Sequence, residues 1–198
     1  ALAQRLARHM DFPEGLEPRV HYLPGETVNA FATLGGRVVF FEGLVSQLPS
    51  ENALALVLAH ELAHLQLRHP IVAAGRGLTV SLALAATFGL ADNAVVAQLV
   101  EWIGVTSTLS YSRDQEREAD ALAAQVVLAE YGHLRGARGL FDLFRDESGE
   151  SSALVPDFRS THPSIDERIQ WLLTYAEEQG PMDHETAPIT PLPWAQTP

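Results

Sequence analysis

Cysteine is absent from this 198-residue chain. That excludes disulfides, thiolate metal ligands and a cysteine nucleophile. Positive charge is scarce: 13 Lys and Arg stand against 25 Asp and Glu, a formal net charge of −12. So acidic a chain lacks the electrostatic footprint of a nucleic-acid binder, and no run of Lys or Arg offsets it. Charge gives it no attraction to anionic membrane surfaces either. No apolar run reaches the roughly 18 residues of a membrane-crossing helix. The nearest, Leu78–Leu90, is too short to span and reads as a buried core helix. The chain opens on Ala1 without a signal-peptide pattern, and reads as a domain whose targeting or anchoring segment lies upstream.

Apolar residues make up 46% of the chain, enough for a real core. The pattern is one domain over 1–180 with a Pro-rich tail over 181–198. A helix end at Ala1–Met10 precedes Pro13, Gly15 and Pro18. Arg19–Leu23 reads as a short strand. Thr27–Thr33 and Arg37–Phe41 flank Gly35-Gly36, a hairpin signature. Ser50 can cap a helix over 51–68, with an apolar stripe of Leu54, Val57, Leu58, Leu62 and Leu65, closed by Pro70. Two helices are expected within 71–111, with a break near Gly89–Asn93. Ser112 and Gln115 have capping-box spacing before a helix over 113–131 that ends at Gly132. A helix over 134–145, a polar loop Asp146–Ser160, a second capping box at Ser164 and Glu167, and a final helix to about Gln179 follow.

Inside the 51–68 helix stands His60-Glu61-Leu62-Ala63-His64. Positions i and i+4 share a helix face, so two imidazoles can grip one Zn²⁺ while Glu61 reaches a water beside it. A catalytic zinc wants a third protein ligand and an open position. The position six residues after the second His, used by metzincins, holds Pro70, and His69 is off register by one. A carboxylate from another helix remains. Glu116 and Asp120 share a face of the 113–131 helix, with Glu118 turned away as a solvated residue. Glu116 is assigned as ligand and Asp120 as the carboxylate that steadies a ligand imidazole from behind.

Four segments together resemble metallopeptidase family 48, the gluzincins that include HtpX-type, Oma-type and CAAX prenyl proteases. They are Asn29-Ala30-Phe31-Ala32 with Gly35-Gly36; Gly43-Leu44 and the run into His60–His64; Ser112-Arg113 with Glu116, Ala119 and Asp120; and Thr161-His162-Pro163-Ser164 with Arg168-Ile169. They cover about residues 26–172. The resemblance implies an α+β, zincin-like domain, mainly helical, with a small sheet of about three strands. It also implies that His60, His64 and Glu116 bind one zinc and that Glu61 is the general base. Phe31, Ala32 and Thr33 become a strand edge that holds an extended peptide. The membrane spans of the prenyl and HtpX-type members are missing. The resemblance is therefore to compact, soluble or peripherally anchored members of bacterial envelopes, periplasmic or membrane-anchored, acting on unfolded or misfolded polypeptides.

His162 has two functional readings: hydrogen-bond donor to the oxyanion, or a fourth zinc ligand that latches the enzyme off. A mere structural cap is the third. His9, His21, His69, His133 and His184 read as surface residues. The alternative to a zinc endopeptidase is a non-catalytic, chaperone-like or interaction domain with a closed zinc site, which would have no need of Glu61.

Overall fold

The structure is a computed structural model that describes residues 2–76, 111–144, 162 and 165–178. The expected helices within 77–110, the loop Asp146–Ser160, the Ser164 cap and the Pro-rich tail lie outside those residues.

The fold is organised around one enclosed helix. In chain order the elements are α1 (Leu2–Ala7), β1 (Arg19–Leu23), β2 (Ala30–Thr33), β3 (Arg37–Phe41), α2 (Glu42–Val45), α3 (Glu51–Gln66), α4 (Arg113–Tyr131), α5 (Arg135–Phe144) and α6 (Ile165–Glu178). Ser50 caps α3 as expected, its hydroxyl accepting from the Ala53 N–H. The expected single apolar stripe does not describe α3. Every residue from Ala55 to Leu65 is buried, because α1, α4, α5 and β2 all pack against this helix. His60, Glu61 and His64 are buried with it, so their polar atoms must find partners inside the protein.

The expected terminator of α3 also differs. Leu67 is the C-cap, and Arg68 adopts the left-handed conformation, φ 59°. Pro70 lies within the first turn of the next helical stretch, 69–76, where its missing N–H costs nothing. The break therefore belongs to Arg68, and it turns His69 back toward α3.

The sheet has the order β1-β3-β2, with β1 parallel and β2 antiparallel to β3. Gly35 and Gly36, at φ 76° and 74°, make the tight connection that the hairpin signature predicts. Ala30 pairs with Phe40 and Ala32 with Val38, and all four side chains are buried on one face. The two alanines let α3 approach β2 closely. Phe41 N–H donates to the Asn29 carbonyl at 3.1 Å. By antiparallel alternation Phe31 and Thr33 also turn their backbone groups to β3, and Ala30 and Ala32 turn theirs to the edge that carries no further strand among the described residues. The expected strip Phe31–Thr33 thus narrows: only Ala32 of the three, joined by Ala30, faces outward.

Helix α4 begins with the full Ser112–Gln115 capping box and ends at Gly132 in the left-handed conformation. Its buried face carries Glu116, Ala119, Asp120, Ala123 and Ala124. Small residues on this face bring α4 against α3 closely enough for two carboxylates to reach the α3 imidazoles. Helix α6 packs on α4 and α5 and sends Arg168 into the same interior.

Candidate metal centre

Residues from three helices and one loop position converge around His60 and His64. The two Nε2 atoms lie 3.0 Å apart. Glu116, on α4, places Oε2 3.5 Å from His60 Nε2 and Oε1 3.5 Å from His64 Nε2. His162 completes the group, with Nδ1 3.3 Å from His60 Nε2 and 3.2 Å from Glu116 Oε2. One donor atom from each of the four residues lies within 4.8 Å of the others, and all four residues are buried. A tetrahedral zinc with bonds near 2.05 Å separates its ligand atoms by about 3.4 Å. The observed separations fit that figure.

Charge supports the same fit. Among the described residues the pocket buries three carboxylates, Glu61, Glu116 and Asp120, against one guanidinium, Arg168. With the imidazoles neutral, as metal ligands must be, two negative charges are left over, which one divalent cation offsets. Neither carboxylate oxygen of Glu61 has a hydrogen-bond partner among the described residues, although the side chain is fully buried. Its Oε1 sits 3.3 Å from His162 Nε2. A buried carboxylate with only this ionic contact among the described residues fits a site that receives water and substrate.

The supporting contacts fix the imidazoles. Asp120 Oδ1 accepts from His60 Nδ1 at 3.0 Å, which turns His60 Nε2 toward the cluster. Arg168 grips Asp120 through Nε and Nη2, each at 2.7 Å, and turns Nη1 to Glu116 Oε2. Tyr111 stacks on the His64 ring, centroids 3.9 Å apart, and donates its hydroxyl to the Ala32 carbonyl at 3.2 Å. His162 Nε2 lies 3.4 Å from the Ala30 carbonyl. Both outward carbonyls of β2 thus have side-chain partners.

Protonation follows this geometry. Burial favours the neutral form of Glu116, yet His162, His60 and Arg168 outweigh it and hold the carboxyl well below its ordinary range. Asp120 is lowered too, its burial overcome by Arg168 and His60. For His60, burial and Arg168 push downward, but the hydrogen bonds to Asp120 and Glu116 win and raise it to about 9 in the metal-free protein. His64 is pushed well down by burial and then by the neighbouring His60.

The structure therefore brings together His60, Glu61, His64, Glu116, Asp120 and His162. An exposed acidic face on α4 is ruled out for Glu116 and Asp120, which are 0% and 3% exposed. Two expectations are corrected. His69 and His133 are buried, not surface residues. His133 accepts from the Arg135 N–H at the start of α5, and His69 lies against His64. Spacing could not reveal His69, because only the left-handed Arg68 brings it back. Arg168 belongs to the C-terminal segment of the resemblance, which assigns it no role. One long cation among helix residues gives no sign that it will be buried against two acids.

The helix-borne His-Glu-x-x-His pair, with a carboxylate delivered by a second helix, defines a metallopeptidase-type centre. The sequence pattern of peptidase family M48 matches residues 1–176. The chain belongs to that family, whose members are zinc metallopeptidases. It is 31% identical over 183 residues to the mitochondrial metalloendopeptidase OMA1 of Schizosaccharomyces pombe, covering 88% of this chain and 53% of that protein. It is 26% identical over 198 residues to the beta-barrel assembly-enhancing protease of Escherichia coli, covering 92% of this chain and 39% of that protein. A protease HtpX homolog of Acaryochloris marina is 34% identical over 134 residues, covering 65% of this chain and 39% of that protein. The chain spans about a third to a half of the length of these relatives. No helix among the described residues is long and apolar enough to cross a membrane.

Proposed function

We propose that the chain is a zincin-type zinc endopeptidase with His60, His64 and Glu116 as its metal ligands. The observation that carries this is the buried meeting of those donors beside Glu61, whose carboxylate accepts no hydrogen bond among the described residues and has His162 as its ionic neighbour. Zinc held there supplies a Lewis acid that acidifies water and polarises a carbonyl. Glu61 accepts the proton of the attacking water and returns it to the leaving amine. Asp120 fixes the His60 ring, and Arg168 holds Asp120 and Glu116 in place. The outer edge of β2, whose Ala30 and Ala32 carbonyls exchange His162 and Tyr111 for the peptide, aligns an extended substrate by strand addition.

The substrate class is unfolded or misfolded polypeptide of the bacterial envelope. The name of the E. coli relative, a beta-barrel assembly-enhancing protease, supports an envelope setting. Degradation of casein is the test. Wild type cleaves it in the presence of zinc, and Glu61→Gln loses at least about a hundredfold in rate while still holding zinc. Equal inertness of both proteins overturns the enzyme and leaves the closed, non-catalytic zinc domain.

One observation favours a second state of the same site. His162 supplies a fourth donor and also covers the Ala30 carbonyl. Four protein ligands close a zinc site, whereas three leave it open. His162 is therefore read as a latch that leaves when substrate enters. His162→Ala then cleaves casein faster than wild type; slower cleavage assigns His162 to the oxyanion instead.

A further inference from the structure

Behind His64, on the side away from the cluster, lies a pair of side chains with no place in the chemistry described so far. His69 Nδ1 is 2.9 Å from His64 Nδ1, and His69 Nε2 is 3.3 Å from Glu118 Oε2. His69 is 4% exposed. The Glu118 side chain is 62% exposed, whereas Glu116 and Asp120 on the same helix are buried. We propose that His69 and Glu118 are positioning residues that fix His64 as a zinc ligand, an inference that rests on the metallopeptidase reading above.

Hydrogen-bond direction carries the case. An ionised carboxylate only accepts, so His69 Nε2 donates to Glu118. His69 Nδ1 is then the accepting nitrogen, and His64 Nδ1–H donates to it. That choice leaves His64 Nε2 bare, and it is this atom that faces His60 Nε2 and Glu116 Oε1. Tyr111 holds the ring by its face, while His69 holds it by its far nitrogen. The two ligand imidazoles thus reach their carboxylates differently: His60 directly through Asp120, His64 through a second imidazole. The left-handed turn at Arg68 is what makes the longer route possible. Partners of this kind set the tautomer and orientation of a metal-bound His.

The test measures zinc affinity by chelator competition, with the visible spectrum of the cobalt-loaded protein as a second readout. His69→Phe keeps a flat ring and removes both nitrogens; its zinc Kd rises about 10–100-fold and the cobalt bands shift. His69→Gln, whose amide can accept from His64 and donate to Glu118, recovers most of that loss. Glu118→Ala, at an exposed position, raises Kd severalfold. The proposal falls if His69→Phe holds zinc within about twofold of wild type, or if His69→Gln is as impaired as His69→Phe, since the ring then acts by packing alone. Should His69→Phe fail to fold, unchanged affinity in Glu118→Ala overturns it. A wild-type protein that takes up no zinc at these residues defeats the metallopeptidase reading itself, a different result from any of these.

Discussion

Arg168 is the residue on which the buried charge balance turns. It is the one guanidinium against Glu61, Glu116 and Asp120 among the described residues, and it contacts two of them. Removing one member of a buried ionic group leaves the others uncompensated, at a cost of about 3–5 kcal/mol. Arg168→Met is accordingly expected to destabilise the metal-free protein by roughly that amount in urea titration. With zinc bound the loss is smaller, because the ion offsets part of the freed charge. Equal losses with and without zinc would separate Arg168 from the metal centre. At this scale the sequence was informative wherever helical periodicity governs. His60 and His64, or Glu116 and Asp120, share a face by spacing alone. Periodicity says nothing about Arg168 and His69, which arrive from another helix and through an unusual backbone angle.

Helices meet α3 through small residues, and α5 does so at a glycine. A Cβ on Gly136 would overlap Asn52 Cβ and come within 2.8 Å of the Ala53 N–H, which is part of the first turn of α3. Neither neighbour is a flexible side-chain end. Gly136→Ala should therefore force α5 away from α3 and cost about 1–3 kcal/mol, read as a fall in the urea midpoint at constant m-value. No measurable loss would mean that α5 is free to shift on α3. Most element boundaries could be anticipated because caps and breakers act locally: Ser50, the Ser112–Gln115 box, Gly35-Gly36 and Gly132 all do what their residue types favour. The parallel pairing of β1 with β3 could not, since it depends on a contact between distant segments. The all-round burial of α3 was hidden for the same reason, as a helix is enclosed by its neighbours, not by its own pattern.

Across the whole molecule the site joins α3, α4, α6 and the loop position of His162, so metal binding and folding are linked. Zinc that binds only the folded chain stabilises it by about 4 kcal/mol when free zinc exceeds its Kd a thousandfold. The pH dependence of that gap has a defined sign. In the metal-free protein His60 is raised to about 9, with burial and Arg168 opposing and Asp120 and Glu116 prevailing. A raised histidine contributes stability that is complete below its unfolded value, near 6.5, and is lost as pH climbs through 9. The slope between those values is at most about 1.4 kcal/mol per pH unit. With His60 as a ligand, the zinc-bound fold carries no proton on its Nε2 and lacks this loss. Urea titrations between pH 6.5 and 9 should show the chelator-treated protein weakening with rising pH while the zinc-loaded protein holds, so that the gap widens. Asp120→Asn removes one of the two acceptors that raise His60 and should flatten the slope of the metal-free protein. A gap that stays constant across this range would mean that no proton leaves His60 when zinc enters, and would remove His60 from the ligand set.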